Sequence, residues 1–142
     1  MKTIAEILQA KGRDIWSIAP EASVYEAVEM MAVKGIGALV VMQAGKAVGM
    51  LSERDYARKI ILKGRSSRET TVREIMSAPV IFTDTDSNVE ECMELMSNKR
   101  IRHLPVLDND ELIAVISIGD LVKAIIDEQK FVIQQLESYI AS

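Results

Sequence analysis

An internal repeat constrains the fold of this chain more than any other feature of its sequence. The segment IGALVVMQAGKAVGMLSERD, which ends at Asp55, returns as IRHLPVLDNDELIAVISIGD, which ends at Asp120. A serine precedes each aspartate by three residues, at Ser52 and Ser117, and the offset of 65 residues holds without a gap back to Val24. Self-similarity at a fixed spacing is the signature of repeated structural units. The sequence therefore predicts two similar units that together cover nearly the whole chain.

Each repeat predicts the same secondary structure. A Thr-x-x-Glu capping box, Thr3 with Glu6 and Thr71 with Glu74, predicts a short helix, and a brief extended piece follows it. Apolar residues at helical spacing then predict a longer helix, and two short apolar runs separated by a turn predict a hairpin. The predicted hairpin strands are 38–42 with 47–51, and 104–107 with 112–116. A last helix starts at each Ser-x-x-Asp, which gives the order β-α-β-β-α.

These patterns predict three segments along the chain. We expect a first repeat at 1–65, a second repeat at 66–127 and a helical tail at 128–142. The tail has no counterpart in the first repeat, and Phe131, Leu136 and Tyr139 give its helix an apolar flank. Packing of this flank on the chain's own core is slightly favoured over packing on a second subunit, and the sequence does not decide between them.

Composition excludes several classes of function. One cysteine and one histidine among 142 residues exclude an internal disulfide and a Cys/His metal cluster. The net charge of −4 argues against wholesale binding to nucleic acid or to an anionic membrane. No apolar run approaches the ~18 residues of a membrane span, and the beginning MKTIAEILQAKG does not resemble a signal peptide. We therefore expect a cytoplasmic globular protein.

The repeated residues resemble the CBS domain, a family named after cystathionine β-synthase. The likeness rests on residues 49–55 and 114–120, each preceded by a Leu-x-Val strand and a turn, and on RHLPV at 102–106. It covers residues 3 to about 126, and two tandem copies resemble a Bateman module. The resemblance implies an α/β (α+β) fold in which two β-α-β-β-α repeats pack pseudo-symmetrically through their sheets.

The resemblance also implies a function and a set of binding residues. The family binds adenosine-containing ligands (AMP, ADP, ATP, NAD or S-adenosylmethionine) in clefts between paired repeats, without catalysis. Carried over to this chain, nucleotide binding falls on Ser52, Arg54, Asp55, Ser117, Gly119, Asp120, Ile101, Arg102, His103, Gly37, Ala38, Ile18 and Thr83. It implies no catalytic cofactor and no metal. It further implies a homodimer and an unidentified partner protein that responds to ligand occupancy.

The Ser-x-x-Asp motif has two physical interpretations. A hydroxyl and a carboxylate three residues apart at a helix start lie on one face, beside free backbone N–H groups at the positive end of the helix dipole. The carboxylate can accept both hydroxyls of a ribose, while the serine and the N–H groups can meet a phosphate. The same pair is also a capping box, which needs no ligand. Recurrence in register favours the receptor, and the different basic neighbours of the two copies predict unequal affinities.

Two other functions stay open at this point. An enzyme using Asp55 or Asp120 lacks a Gly-rich phosphate loop and a nucleophile paired with a base. His103 as a general base has no partner at useful spacing, so we interpret it as a residue near the phosphate. A scaffold that only dimerises would use both motifs as helix caps.

Overall fold

The protein contains two sheets of the same design. In the computed structural model, which describes residues 2–141, the strands are β1 (Ser17–Ile18), β2 (Ala38–Gln43), β3 (Lys46–Ser52), β4 (Thr83–Asp84), β5 (His103–Asp108) and β6 (Glu111–Ser117). Each sheet has three strands, in the orders β1-β2-β3 and β4-β5-β6. The first pair is parallel and the second antiparallel in both sheets. The predicted α/β class and repeat order are confirmed, while packing of the repeats through their sheets stays a prediction.

The helices begin at the predicted caps. They are α1 (Ile4–Lys11), α2 (Val24–Lys34), α3 (Glu53–Tyr56), α4 (Val72–Ile75), α5 (Val89–Lys99) and α6 (Ile118–Ala141), and a π-helical segment at Ala57–Ile61 continues α3. The Glu6 N–H donates to the Thr3 hydroxyl at 3.3 Å, and the Thr71 N–H donates to the Glu74 carboxylate at 2.7 Å. Each cap satisfies backbone groups that the first helical turn leaves unpaired. The two predicted capping boxes are confirmed.

Both hairpins close through two-residue turns with left-handed backbone. Ala44 and Gly45 have φ values of 51° and 78°, and Asn109 and Asp110 have φ values of 51° and 64°. Positive φ at both central residues is the geometry of a type I′ turn, whose twist matches that of the flanking strands. The two hairpins therefore have the same register, with Ser52 and Ser117 each at the end of its strand.

The two sequence repeats exchange their short helices, so that α1 packs with the rest of the second repeat and α4 packs with the rest of the first. One unit is continuous, Ile15–Ile81, and the other is a composite of Met1–Asp14 with Phe82–Ser142. In the composite unit, the Ile4 N–H donates to the Ser87 carbonyl at 2.8 Å. In the continuous unit, the Val72 N–H donates to the Ala22 carbonyl at 2.9 Å. Each short helix thus docks on the body of the other repeat, while the sequence boundaries at 65 and 127 stay a prediction.

Each unit has its own set of buried apolar side chains. In the continuous unit they include Val24, Ala27, Met31, Leu39, Val41, Leu51, Ile60, Val72 and Ile75. In the composite unit they include Ile4, Leu8, Val89, Cys92, Met96, Leu104, Val106, Ile116 and Leu121. They come from the apolar face of the long helix, from the hairpin and from the docked short helix. The exchanged helices are therefore part of each core.

The C-terminal tail does not pack on the chain's own core. Helix α6 runs without interruption from the Ser-x-x-Asp motif to Ala141, and its buried residues are Leu121 and Ala124. Between Ile125 and Ala141, all of which the structure describes, no residue is buried. Phe131 is 58% exposed and Leu136 is 56% exposed. The slightly favoured prediction of packing on the core is therefore wrong, because the helix continues beyond the last residues that the core covers.

Candidate functional site

The first Ser-x-x-Asp motif lies where β3 passes into α3. The Ser52 N–H and hydroxyl both donate to Asp55 Oδ2 at 3.0 Å, and the Asp55 N–H donates to Ser52 Oγ at 3.1 Å. The other oxygen, Oδ1, accepts a hydrogen bond from the Ser77 hydroxyl at 3.1 Å and lies 3.1 Å from Lys59 Nζ. The Asp55 side chain is only 13% exposed. Both of its carboxylate oxygens therefore have partners within the continuous unit.

The second motif lies where β6 passes into α6, and it has a different set of partners. The Ser117 N–H donates to Asp120 Oδ2 at 2.7 Å, and the Asp120 N–H donates to Ser117 Oγ at 3.1 Å. Lys11, at the end of α1, places its Nζ 2.6 Å from the same Oδ2 and also donates to the Val115 carbonyl. The bonds that Asp120 accepts from described residues all end on Oδ2, and its side chain is 23% exposed. Asp120 is the more accessible of the two carboxylates.

Strand pairing brings several predicted residues beside each motif. Ala38 pairs with Ser52, and His103 pairs with Ser117. The first residue of each following helix donates its N–H across this junction. Glu53 bonds to the Gly37 carbonyl at 3.0 Å, and Ile118 bonds to the Arg102 carbonyl at 2.9 Å. Ile101 directly precedes Arg102, beside the second motif. The first motif is therefore flanked by the small residues Gly37 and Ala38, and the second by the basic residues Arg102 and His103.

The charges around the second motif interact with one another. Burial would raise the pKa of Asp120, but the hydrogen bonds from Lys11 and the Ser117 N–H and the charge of Lys11 hold it below its ordinary value. Burial lowers the pKa of His103, and Lys11 and Arg102 lower it further against the opposing effect of Asp120. At pH 7 the carboxylate is ionised and the imidazole is mainly neutral. The ring can therefore donate a hydrogen bond without adding a full charge.

The remaining predicted residues lie either within the motifs or on the strand of each sheet farthest from them. Arg54 and Gly119 occupy equivalent positions in the first helical turns, directly before the aspartates. Ile18 pairs with Val41 and Thr83 pairs with Val106, so β2 or β5 separates each of them from its motif strand. Ile18 belongs to the buried core cluster. The structure thus places Arg54 and Gly119 in the motifs, and it places Ile18 and Thr83 on the far strand of each sheet.

Sequence reasoning missed two residues that contact the aspartates. Lys11 reaches Asp120 from α1, and Ser77 reaches Asp55 from the segment after α4. The Met50 and Ser77 backbones exchange two hydrogen bonds, of 2.8 and 3.0 Å, which fix this segment along β3. Neither contact had a signal in the sequence, because each depends on where a short helix docks.

The arrangement of elements and motifs agrees with one protein family. The family model described as "CBS domain" matches residues 4–62 and 72–127, which together make up most of the chain. The chain belongs to the CBS domain family. Its two CBS domains correspond to the two repeats, and each ends in the helix that follows a Ser-x-x-Asp motif. The predicted tandem pair is thereby confirmed.

Individual CBS proteins show the same relationship along most of the chain. The mitochondrial CBS domain-containing protein CBSX3 of Arabidopsis thaliana is 38% identical over 97% of this chain and 71% of its own length. A candidate signal-transduction protein with CBS domains from Burkholderia ambifaria is 49% identical, with a TM-score of 0.87 over 90% of this chain and 96% of that one. A hexameric CBS-CP12 protein from bloom-forming cyanobacteria is 27% identical, with a TM-score of 0.77 over 86% of this chain and 70% of that one. The likeness to each of these proteins extends over both CBS domains of this chain.

Two further observations concern membranes and metals. Within residues 2–141, no helix combines the length and hydropathy that a membrane-spanning helix requires. The same part of the chain holds no cluster of three or more His, Cys, Asp or Glu side chains with metal-binding geometry. The Arabidopsis relative is mitochondrial by name. The cytoplasmic location of the present chain stays a prediction.

Proposed function

We propose that this CBS domain pair is a non-catalytic regulatory module. It binds an adenosine-containing ligand (AMP, ADP, ATP, NAD or S-adenosylmethionine) at its Ser-x-x-Asp motifs and signals occupancy to a partner protein by a change of conformation. The observation that carries this proposal is the second motif. There an ionised, partly exposed carboxylate at a helix start lies among Lys11, Arg102 and His103. Ribose hydroxyls can donate hydrogen bonds to the carboxylate, and a phosphate can accept charge-assisted hydrogen bonds from the basic neighbours.

The scaffold alternative has an observation in its favour. Both aspartates form complete capping boxes with their serines, so the motifs stabilise their helices without any ligand. Capping and ribose binding are nevertheless compatible at Asp120. Its cap uses Oδ2, whereas Oδ1 accepts no hydrogen bond from the described residues. The cap therefore holds the carboxylate in place and leaves one oxygen for a ligand.

We expect the two motifs to bind with unequal affinity. A ligand at Asp55 has to displace the Ser77 hydroxyl or the Lys59 ammonium from Oδ1. A ligand at Asp120 meets Oδ1 first, whereas Oδ2 already accepts hydrogen bonds from Lys11 and from the Ser117 N–H. Each displaced hydrogen bond subtracts from the free energy of binding. The Asp120 motif should be the tighter site.

The absence of catalysis is part of the proposal and has its own test. The protein is incubated with AMP, ATP, NAD and S-adenosylmethionine, and the ligands are then separated and quantified. Each should be recovered unchanged. Release of adenine, phosphate, nicotinamide or methylthioadenosine at a rate that follows protein concentration would instead support the enzyme alternative.

An adenine nucleotide should raise the melting temperature. A ligand that binds only the folded state stabilises it by RT ln(1 + [L]/Kd), which is about 2.7 kcal/mol at a hundredfold excess over Kd. For a chain of this size, that free energy corresponds to a shift of several degrees. Melting curves with and without millimolar nucleotide measure the shift. A curve that no adenosine compound moves would favour the scaffold alternative.

We propose that the protein is a homodimer. Exposed apolar side chains recur along the tail helix, with Ile133 54% and Leu136 56% exposed. Such a surface is typical of an interface, and the commonest oligomer of a soluble protein is a symmetric dimer of two copies of the same chain. Static light scattering should give twice the mass of the chain at tens of micromolar, a rough working concentration above the Kd of typical stable dimers. A monomer at this concentration would contradict the proposal.

A further inference from the structure

Lys11 connects the first short helix to the binding motif of the second repeat. It is the last residue of α1, and its ammonium contacts both Asp120 Oδ2, at 2.6 Å, and the carbonyl of Val115 in β6. The side chain is 33% exposed and therefore partly withdrawn from solvent. A partly buried ammonium needs an anionic partner to offset the loss of hydration. In this structure that partner is Asp120.

Two further groups make this surface suitable for an anion. His103 is the first residue of β5, and Arg102 directly precedes it; β5 pairs with β6, the strand that ends at Ser117. The positive charges of Lys11 and Arg102 both lower the pKa of the His103 ring. A single carboxylate, Asp120, opposes these charges at the ring. Two cations and one carboxylate therefore act on the His103 ring beside the second motif. A ligand that occupies Asp120 would leave the Lys11 ammonium without its carboxylate.

We propose that Lys11 makes the Asp120 motif select an adenosine ligand that carries a phosphate over an uncharged nucleoside. This inference rests on the proposed function, in which the ribose binds Asp120. When the two ribose hydroxyls take both carboxylate oxygens, the ammonium leaves Oδ2 and turns to the phosphate. A nucleotide thus exchanges one ion pair for another, whereas adenosine breaks an ion pair and replaces it with none.

The first motif does not share this arrangement. Its lysine, Lys59, lies in the π-helical segment that continues the helix of Asp55, and it also donates to the Ile75 carbonyl at 2.9 Å. The position equivalent to Lys59 in the second repeat is the buried Ala124. The second motif instead takes its ammonium from a separate element, helix α1. This difference makes Lys11 a residue specific to the Asp120 site.

The test compares AMP with adenosine in calorimetric titrations of the full chain. Lys11→Met keeps the length of the side chain and removes its charge. For the class of site that Asp120→Asn weakens, the preference for AMP over adenosine should fall at least about tenfold, through weaker AMP binding and unchanged or tighter adenosine binding. Lys11→Arg keeps a cation and should retain most of the preference.

The matched control is Lys123→Met, which removes the same charge from the same unit on the exposed surface of α6. It should leave the preference unchanged, and its melting curve should match that of Lys11→Met to within a few degrees. Equal losses for AMP and adenosine in Lys11→Met, or no loss for either, would overturn the role of Lys11 while leaving the binding site intact. A parent protein that binds neither AMP nor adenosine would overturn this inference. One that also binds none of ADP, ATP, NAD and S-adenosylmethionine would overturn the proposed function as well.

Discussion

Asp120→Asn should weaken adenosine-ligand binding more than any other single substitution in this chain. Asparagine keeps the shape of aspartate and some capping ability, but it loses the negative charge that strengthens hydrogen bonds from ribose hydroxyls. Hydrogen bonds to charged groups contribute about 1.5–3 kcal/mol, so affinity should fall about 10- to 150-fold. Calorimetric titration with AMP, ATP, NAD and S-adenosylmethionine measures the loss and identifies the preferred ligand.

Asp55→Asn is the matched control, because it makes the same chemical change in the other capping box. Oδ1 of Asp55 is already engaged by Ser77 and Lys59, so this substitution should affect only the weaker class of site. Both variants should lose about 1 kcal/mol of stability, from the cap and from a partly exposed ion pair. If both bind every ligand like the parent while melting slightly lower, the motifs are helix caps and the site assignment is wrong.

The elements of each repeat could be predicted because their signals are local. Ser52 and Ser117 start helices through hydrogen bonds to residues three positions away, and the hairpin strands are recognisable as short apolar runs around a turn. Each of these patterns also occurs at the equivalent position of the other repeat, which supports both assignments. The one departure within an element is the π-helical segment Ala57–Ile61, whose composition does not differ visibly from that of an α-helix. The local part of the fold was therefore accessible from the sequence.

The exchange of α1 and α4 could not be predicted, because both helices carry the same local signals. Thr3 and Thr71 each start a helix with a capping box, and neither box indicates which body the helix will join. That choice depends on contacts such as Ile4 with Ser87, which are distant in sequence. The Lys11–Asp120 pair follows from the same docking and spans 109 positions. The half of the site that depends on α1 was therefore invisible until the fold was known.

Ile4→Ala should destabilise the composite unit strongly, and this expected effect tests the helix exchange. The Ile4 side chain is fully buried, and the backbone N–H of the same residue anchors α1 to the Ser87 carbonyl. Truncating a buried isoleucine to alanine costs about 2–5 kcal/mol, because apolar contacts are lost and a cavity remains. Denaturant unfolding measures the loss, and hydrogen exchange shows where it falls. Amides of Leu104 and Ile116, on the strands of the composite unit, should lose protection first.

The matched control is Ile61→Ala, since Ile61 is 58% exposed and its truncation should change stability by about 0.5 kcal/mol or less. Amides of Leu39 and Leu51, in the continuous unit, should keep more protection than their composite counterparts in Ile4→Ala, because α4 rather than α1 docks on that body. Faster exchange at Leu39 and Leu51 with full protection at Leu104 and Ile116 would mean that α1 stabilises the first repeat in solution. Lys11 would then lie away from Asp120, and the preference for a phosphate-bearing ligand would need another cation.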